Sequence, residues 1–134
     1  MTRWHSVPEV GPDGGQARRL CETAVALARE AAAAHGGVRP FVVWSDAAGD
    51  VRWDIPPATE DGRVLEAAYG IAFGRSVGQL AGVVDRVLLR PAEGSEREAE
   101  RVVLLSEGAV LGAAYGLVSE SGDEEAWFER RTVG

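Results

Sequence analysis

The chain has 134 residues, the length of one domain, and 46% of them are apolar, as in an ordinary globule. Fourteen basic against 21 acidic side chains leave a net charge of −7, which repels a phosphate backbone and argues against nucleic acid as a partner. One cysteine, Cys21, excludes an intrachain disulfide, and two histidines at no close spacing to it argue against a structural metal site.

Residues 1–15 carry Pro8, Gly11, Pro12, Gly14 and Gly15, a loop composition that predicts a flexible N-terminal arm before a single domain at 16–134. From Gln16 to His35 the apolar residues Leu20, Ala24, Leu27, Ala31 and Ala34 recur at helical spacing, and Gly36-Gly37 supplies a stop. Phe41–Ser45 is a short apolar run with strand preference. After the turn Asp46–Asp50, Val51, Trp53 and Ile55 alternate with Arg52 and Asp54, which completes a hairpin. Pro56-Pro57 ends it, and Thr59 or Asp61 is placed to cap a second helix.

That helix carries the most unusual pattern in the chain. From Glu66 to Gly82 glycine recurs at every fourth position: Gly70, Gly74, Gly78 and Gly82. In a helix these form one bare stripe, and each interior glycine costs about 0.5–1 kcal/mol relative to alanine. Close packing against the stripe would offset that cost, either by the chain's own sheet or by a symmetry mate across a twofold axis. Glu66, Arg75 and Gln79 interrupt the run, so it does not read as a membrane span. Gly82, just before a β-branched run, reads as the helix stop.

Three or four strands follow: Val83–Arg90, Arg101–Ser106, Ala109–Val118 and an edge strand at Ala126–Thr132. For 109–118 a helix also fits the composition; close turn signals favour a strand. The expected class is α+β, with an antiparallel sheet of about five to six strands and two helices packed on one face.

This order resembles the roadblock/dynein light chain fold over residues 16 to about 118, through the FVVWSDAAGDVRWDI hairpin and the long small-residue helix after it. That resemblance implies a non-catalytic adaptor that pairs as a homodimer. The hairpin is also similar to that of small uncharacterised bacterial proteins with the pattern P-F-x-V/L-x-x-D-x-x-G-x-V. Pro40, Phe41, Val43, Asp46, Gly49 and Val51 match it here. No activity comes with that likeness.

No catalytic constellation stands out. Ser76 and Ser106 lack a nucleophile-elbow context, Cys21 lies within an apolar helix face, and no glycine-rich phosphate loop is present. No cofactor and no metal are expected. One polar group could bind a small ligand: Arg52 and Asp54 on one strand face, Arg86 and Arg90 on another, and Tyr69 on the glycine-striped helix. Solvated cross-strand ion pairs are the favoured reading of those charges. Gly70, Gly74 and Gly78 are the expected interface, with Trp127, an aromatic among charges, as a contact anchor. The sequence thus reads as a cytoplasmic binding or interaction module that self-associates or meets a protein partner. A small enzyme working in a sheet–helix pocket, or an acidic inhibitor of immunity type, are the alternatives.

Overall fold

The structure, a computed structural model, describes residues 2–4, 14–35, 39–56, 63–89, 97–118 and 124–130. In chain order they form β1 (Thr2–Trp4), α1 (Gly14–His35), β2 (Phe41–Ser45), β3 (Val51–Asp54), α2 (Val64–Arg75), β4 (Ala81–Leu89), β5 (Arg97–Ser106), β6 (Ala109–Val118) and β7 (Glu124–Arg130). The class is α+β, as the sequence implies. The strands lie in the order β1-β7-β6-β5-β4-β2-β3. β2 to β7 are antiparallel throughout, within the expected five to six, and β1 adds a parallel edge beside β7. Part of the segment read as an arm is therefore a strand. The candidate caps Thr59 and Asp61 and the stop Gly36-Gly37 lie outside the described residues.

One expectation is corrected by the packing. The helices lie on opposite faces of the sheet, not on one. α1 buries Ala17, Leu20, Cys21, Ala24, Val25 and Ala28 against Phe41, Val43, Val84, Val102 and Leu104. α2 buries Ala68 and Ala72 against Val42, Val83, Val103 and Leu105. Successive strand residues point to opposite faces, so β2, β4 and β5 feed two cores at once. The register keeps the two sets apart: Phe41 pairs with Val84 and Val84 with Val102, while Val42 pairs with Val83 and Val83 with Val103.

α2 ends at Arg75, earlier than the glycine pattern suggests. Ser76 closes it: the Ser76 N–H donates to the Ala72 carbonyl at 2.9 Å and its hydroxyl to the Phe73 carbonyl at 2.8 Å. The same residue anchors the β5–β6 hairpin. Glu107 N–H donates to the Ser76 carbonyl at 2.8 Å, and Gly108 N–H to the Ser76 hydroxyl oxygen at 2.9 Å. Glu107 and Gly108 both have positive φ, 50° and 73°, the two-residue turn whose twist suits a tight hairpin.

Gly82 is not a helix stop. It lies inside β4, where a methyl group would stand 2.9 Å from Val102 Cγ1 and 3.2 Å from Val43 Cγ2. The absent side chain lets two valines meet over the strand. Gly70 is the opposite case: a methyl group there meets nothing within 4 Å. Gly82→Ala should therefore lower stability by about 1–3 kcal/mol through overpacking. Gly70→Ala should raise it by about 0.5–1 kcal/mol through helix propensity. Urea unfolding of the two variants beside the parent checks both signs.

Candidate functional site

One set of charged residues lies at the end of β4 and β5 beyond the apolar runs, and it divides between the faces by strand parity. On the α2 face Asp85 stands directly across from Arg101. The guanidinium grips the carboxylate with two bonds, Nε to Oδ1 at 3.0 Å and an Nη to Oδ2 at 2.6 Å. Asp85 is buried and Arg101 half-buried. The hydrogen bond to Asp85 holds Arg101 above its already high ionisation range. Tyr69 of α2 lies within electrostatic reach of this pair, and Tyr115 lies across from Arg101 on β6. Burial pushes the Tyr69 phenol up; the nearby Arg101 charge opposes that push, and Asp85 and Tyr115 add to it. Tyr69 also sits against Phe73, ring centroids 6.4 Å apart, as their i,i+4 spacing predicts.

On the α1 face the next residue pair along, Arg86 and Glu100, repeats the arrangement with the signs exchanged. Arg86 donates to Glu100 at 2.9 Å and to Glu98 at 3.4 Å. Arg29 of α1 approaches Glu100 at 3.8 Å from above. Gly116 makes room for this approach, because a methyl group there would stand 3.0 Å from Val25 and 3.6 Å from the Arg29 guanidinium.

A third ionic unit closes the β2–β3 hairpin. Asp46 Oδ1 accepts from the N–H groups of Ala48 and Asp50, and Oδ2 accepts from Arg52 Nε at 3.0 Å. Arg52, foremost, and the two backbone donors hold the Asp46 carboxyl below its usual range. This is turn chemistry, as aspartates in hairpins commonly supply.

The ligand-binding group expected from the sequence does not come together. Arg52 and Asp54 lie on the α2 face of β3, at one end of the sheet. Arg86 lies on the α1 face, bonded to Glu98 and Glu100, and Tyr69 lies within electrostatic reach of Asp85 and Arg101. Arg90 lies outside the described residues. The sequence pattern of Asp85-Arg86 against Glu100-Arg101 is the signal that would have found the true pairs. Using it requires knowing that β4 and β5 adjoin in this register.

The expected interface residues divide as well. Gly70 and Gly74 face open space on the outer side of α2, so the chain's own sheet is not what covers them. Two residues separate them from Ala68 and Ala72, about 200° around the helix. Gly78 lies in the turn after α2, where its φ of +77° suits glycine. Trp127 is in register with Tyr115, but β7 is not an edge strand, since β1 lies outside it.

Among the described residues no group of three or more His, Cys, Asp or Glu side chains is arranged to hold a metal ion, and no helix is long and apolar enough to cross a membrane. Neither a protein-family model, nor a curated protein, nor a solved structure matches this chain.

Two outcomes follow from these sites. Arg101→Leu leaves the buried Asp85 carboxylate without its bidentate partner and should cost about 2–3 kcal/mol. Arg52→Leu, at an exposed ion pair, should cost less than about 1 kcal/mol. Chemical denaturation of the two variants measures the difference. Cys21 supplies the second outcome. Burial foremost, and the neighbouring Glu22 charge, push its thiol up to about 12 from 9.0. A raised pKa favours the protonated form, so this contribution is complete below pH 9 and is lost as the pH rises from there towards 12. Iodoacetamide at pH 8 should leave Cys21 unlabelled in the folded chain and label it after unfolding, and the melting temperature should fall above pH 9.

Proposed function

We propose that this chain is a non-catalytic, cytoplasmic interaction module that associates with a second copy of itself. The observation that carries the reading is the state of β3. Among the described residues it is the terminal strand of the sheet, with β2 on one side only, and Trp53 and Ile55 at this edge are 55% and 57% exposed. Large apolar side chains on an open strand edge are what a pairing surface needs and what a strand without a partner avoids.

The polar residues support the same reading. Each ionic unit described above is made of side chains that hold one another: Asp46 with Arg52, Asp85 with Arg101, and Glu100 with Arg86 and Arg29. Such pairs fix register and surface charge; they do not present an acid, base or nucleophile to a substrate. The scattering of Arg52, Asp54, Tyr69 and Arg86 over both faces argues against the enzyme alternative, which needs them in one concave site. A single buried thiol suits a reducing compartment. The element order that resembles the roadblock/dynein light chain proteins points the same way, since those are adaptors that pair.

Native mass spectrometry across a concentration series tests the reading. The expected result is a species at twice 14.2 kDa that grows with concentration. A single-chain mass up to millimolar concentration would overturn it.

A further inference from the structure

We propose that β3 is the self-pairing strand: two copies join antiparallel, edge to edge, about a twofold axis at Trp53, and the two sheets become one. The inference rests on the self-associating reading above and adds its surface and register.

The backbone of β3 is set up for this pairing. In the hairpin, Asp46 N–H donates to the Asp50 carbonyl at 2.9 Å. Antiparallel ladders alternate between bonded and non-bonded pairs, so Trp44–Arg52 and Val42–Asp54 are the bonded pairs that follow. Arg52 and Asp54 thus spend their backbone groups on β2. Val51 and Trp53 turn theirs to the open edge, and Ile55, the residue after β3, shares their parity. Ser45 agrees with this phase: it lies across from Val51, and its N–H turns away from β3 to the Leu80 carbonyl at 2.9 Å.

A twofold at Trp53 uses all of the outward groups. Trp53 meets Trp53 of the second copy as a bonded pair, each N–H donating to the other's carbonyl. Val51 meets Ile55 as the next bonded pair, on both sides of the axis. The side chains then fall into place without adjustment of register. Trp53, Val51 and Ile55 of both copies share the α1 face, where Val51 already packs against the core. On the α2 face Arg52 stands opposite Asp54 of the second copy, and Asp54 opposite Arg52. These are non-bonded pairs, the closer kind, and both bring opposite charges together. The segment is self-complementary in backbone, apolar contact and charge, which an isologous contact requires.

The other edge does not offer this. β1 is three residues long and its neighbour β7 runs parallel to it. The outer face of α2, with Gly70 and Gly74, offers space for a helix but no feature that selects what would fill it.

Amide hydrogen exchange on the unmodified chain, read residue by residue at low and at high concentration, tests the register. Val51, Trp53 and Ile55 should gain protection with concentration, while Arg52 and Asp54 are protected at both. A doubled mass without protection at 51, 53 and 55 overturns the strand pairing and leaves self-association through another surface. No doubling at millimolar concentration overturns both.

Charge variants give an independent test. Asp54→Arg and Arg52→Asp each place like charges opposite one another twice per dimer, and each should weaken the dimer about tenfold. An equimolar mixture of the two should form a one-to-one heterodimer, because every 52–54 contact across the axis is again opposite in sign. Gly74→Leu, which extends into open space on α2, should leave the dimer unchanged. Folded single variants that still dimerise like the parent, a mixture that stays monomeric, or loss of the dimer only in Gly74→Leu would each overturn the pairing. If either charge variant fails to fold, the exchange pattern of the unmodified chain decides.

Discussion

The double burial of β2, β4 and β5 is the constraint on which the rest depends. Each of these strands must supply apolar side chains to two helices on opposite faces, so its sequence cannot alternate. Val42-Val43, Val83-Val84 and Val102 to Leu105 are continuous apolar runs for that reason, and every one of these residues is buried. Continuous runs are the usual mark of parallel sheets covered on both sides. Here they occur in an antiparallel sheet, because one helix covers each face over the same strands. Beyond these runs, where the helices present Arg29 and Tyr69 to the sheet, the pattern changes at once. Asp85 and Arg86 follow Val84, and Glu100 and Arg101 precede Val102.

Strand parity then decides the electrostatics. Asp85 and Arg86 are neighbours in sequence yet face opposite layers, and so do Glu100 and Arg101. The result is a directly opposed cross-strand ion pair on each face, the acid on β4 in one case and on β5 in the other. A register slip of one residue would carry the charges into the apolar layers and bring Asp85 opposite Glu100 or Arg86 opposite Arg101. The ion pairs therefore penalise wrong registers more than they stabilise the right one, which is the use of a partly buried pair with the best physical basis.

The elements were legible in the sequence and their relations were not. Helical spacing marks α1, the Asp46–Asp50 turn marks the hairpin, and turn signals mark 109–118 as a strand. Placing both helices on one face followed from the antiparallel class, whose sheets commonly keep one face wet, a habit that the alternation in Val51–Ile55 fits. That strand is the edge, and the inner strands do not alternate. The ligand-binding group failed for a related cause: Arg86 and Arg52 are both arginines on strands, but parity and the intervening strand β2 separate them. The glycine stripe misled in a third way. Spacing of four extends to Gly82 only by continuing past Ser76, where a serine hydroxyl and the β5–β6 turn end the helix. β1 left no signal at all, since three residues in a loop composition carry no period.

Edge strands are commonly protected by charge, and β3 carries Arg52 and Asp54 on its exposed length. Protection depends on sign and spacing, not on charge as such. Two like charges would repel a second β3 in any register. Opposite charges at positions 52 and 54 are symmetric about 53, and antiparallel pairing about that point exchanges them. The net charge of −7 adds a long-range repulsion between copies that the proposed contact must overcome, so salt should strengthen the proposed dimer by screening that repulsion more than it weakens the two exposed ion pairs. A strand edge that excluded its own copy would need only one of these charges reversed.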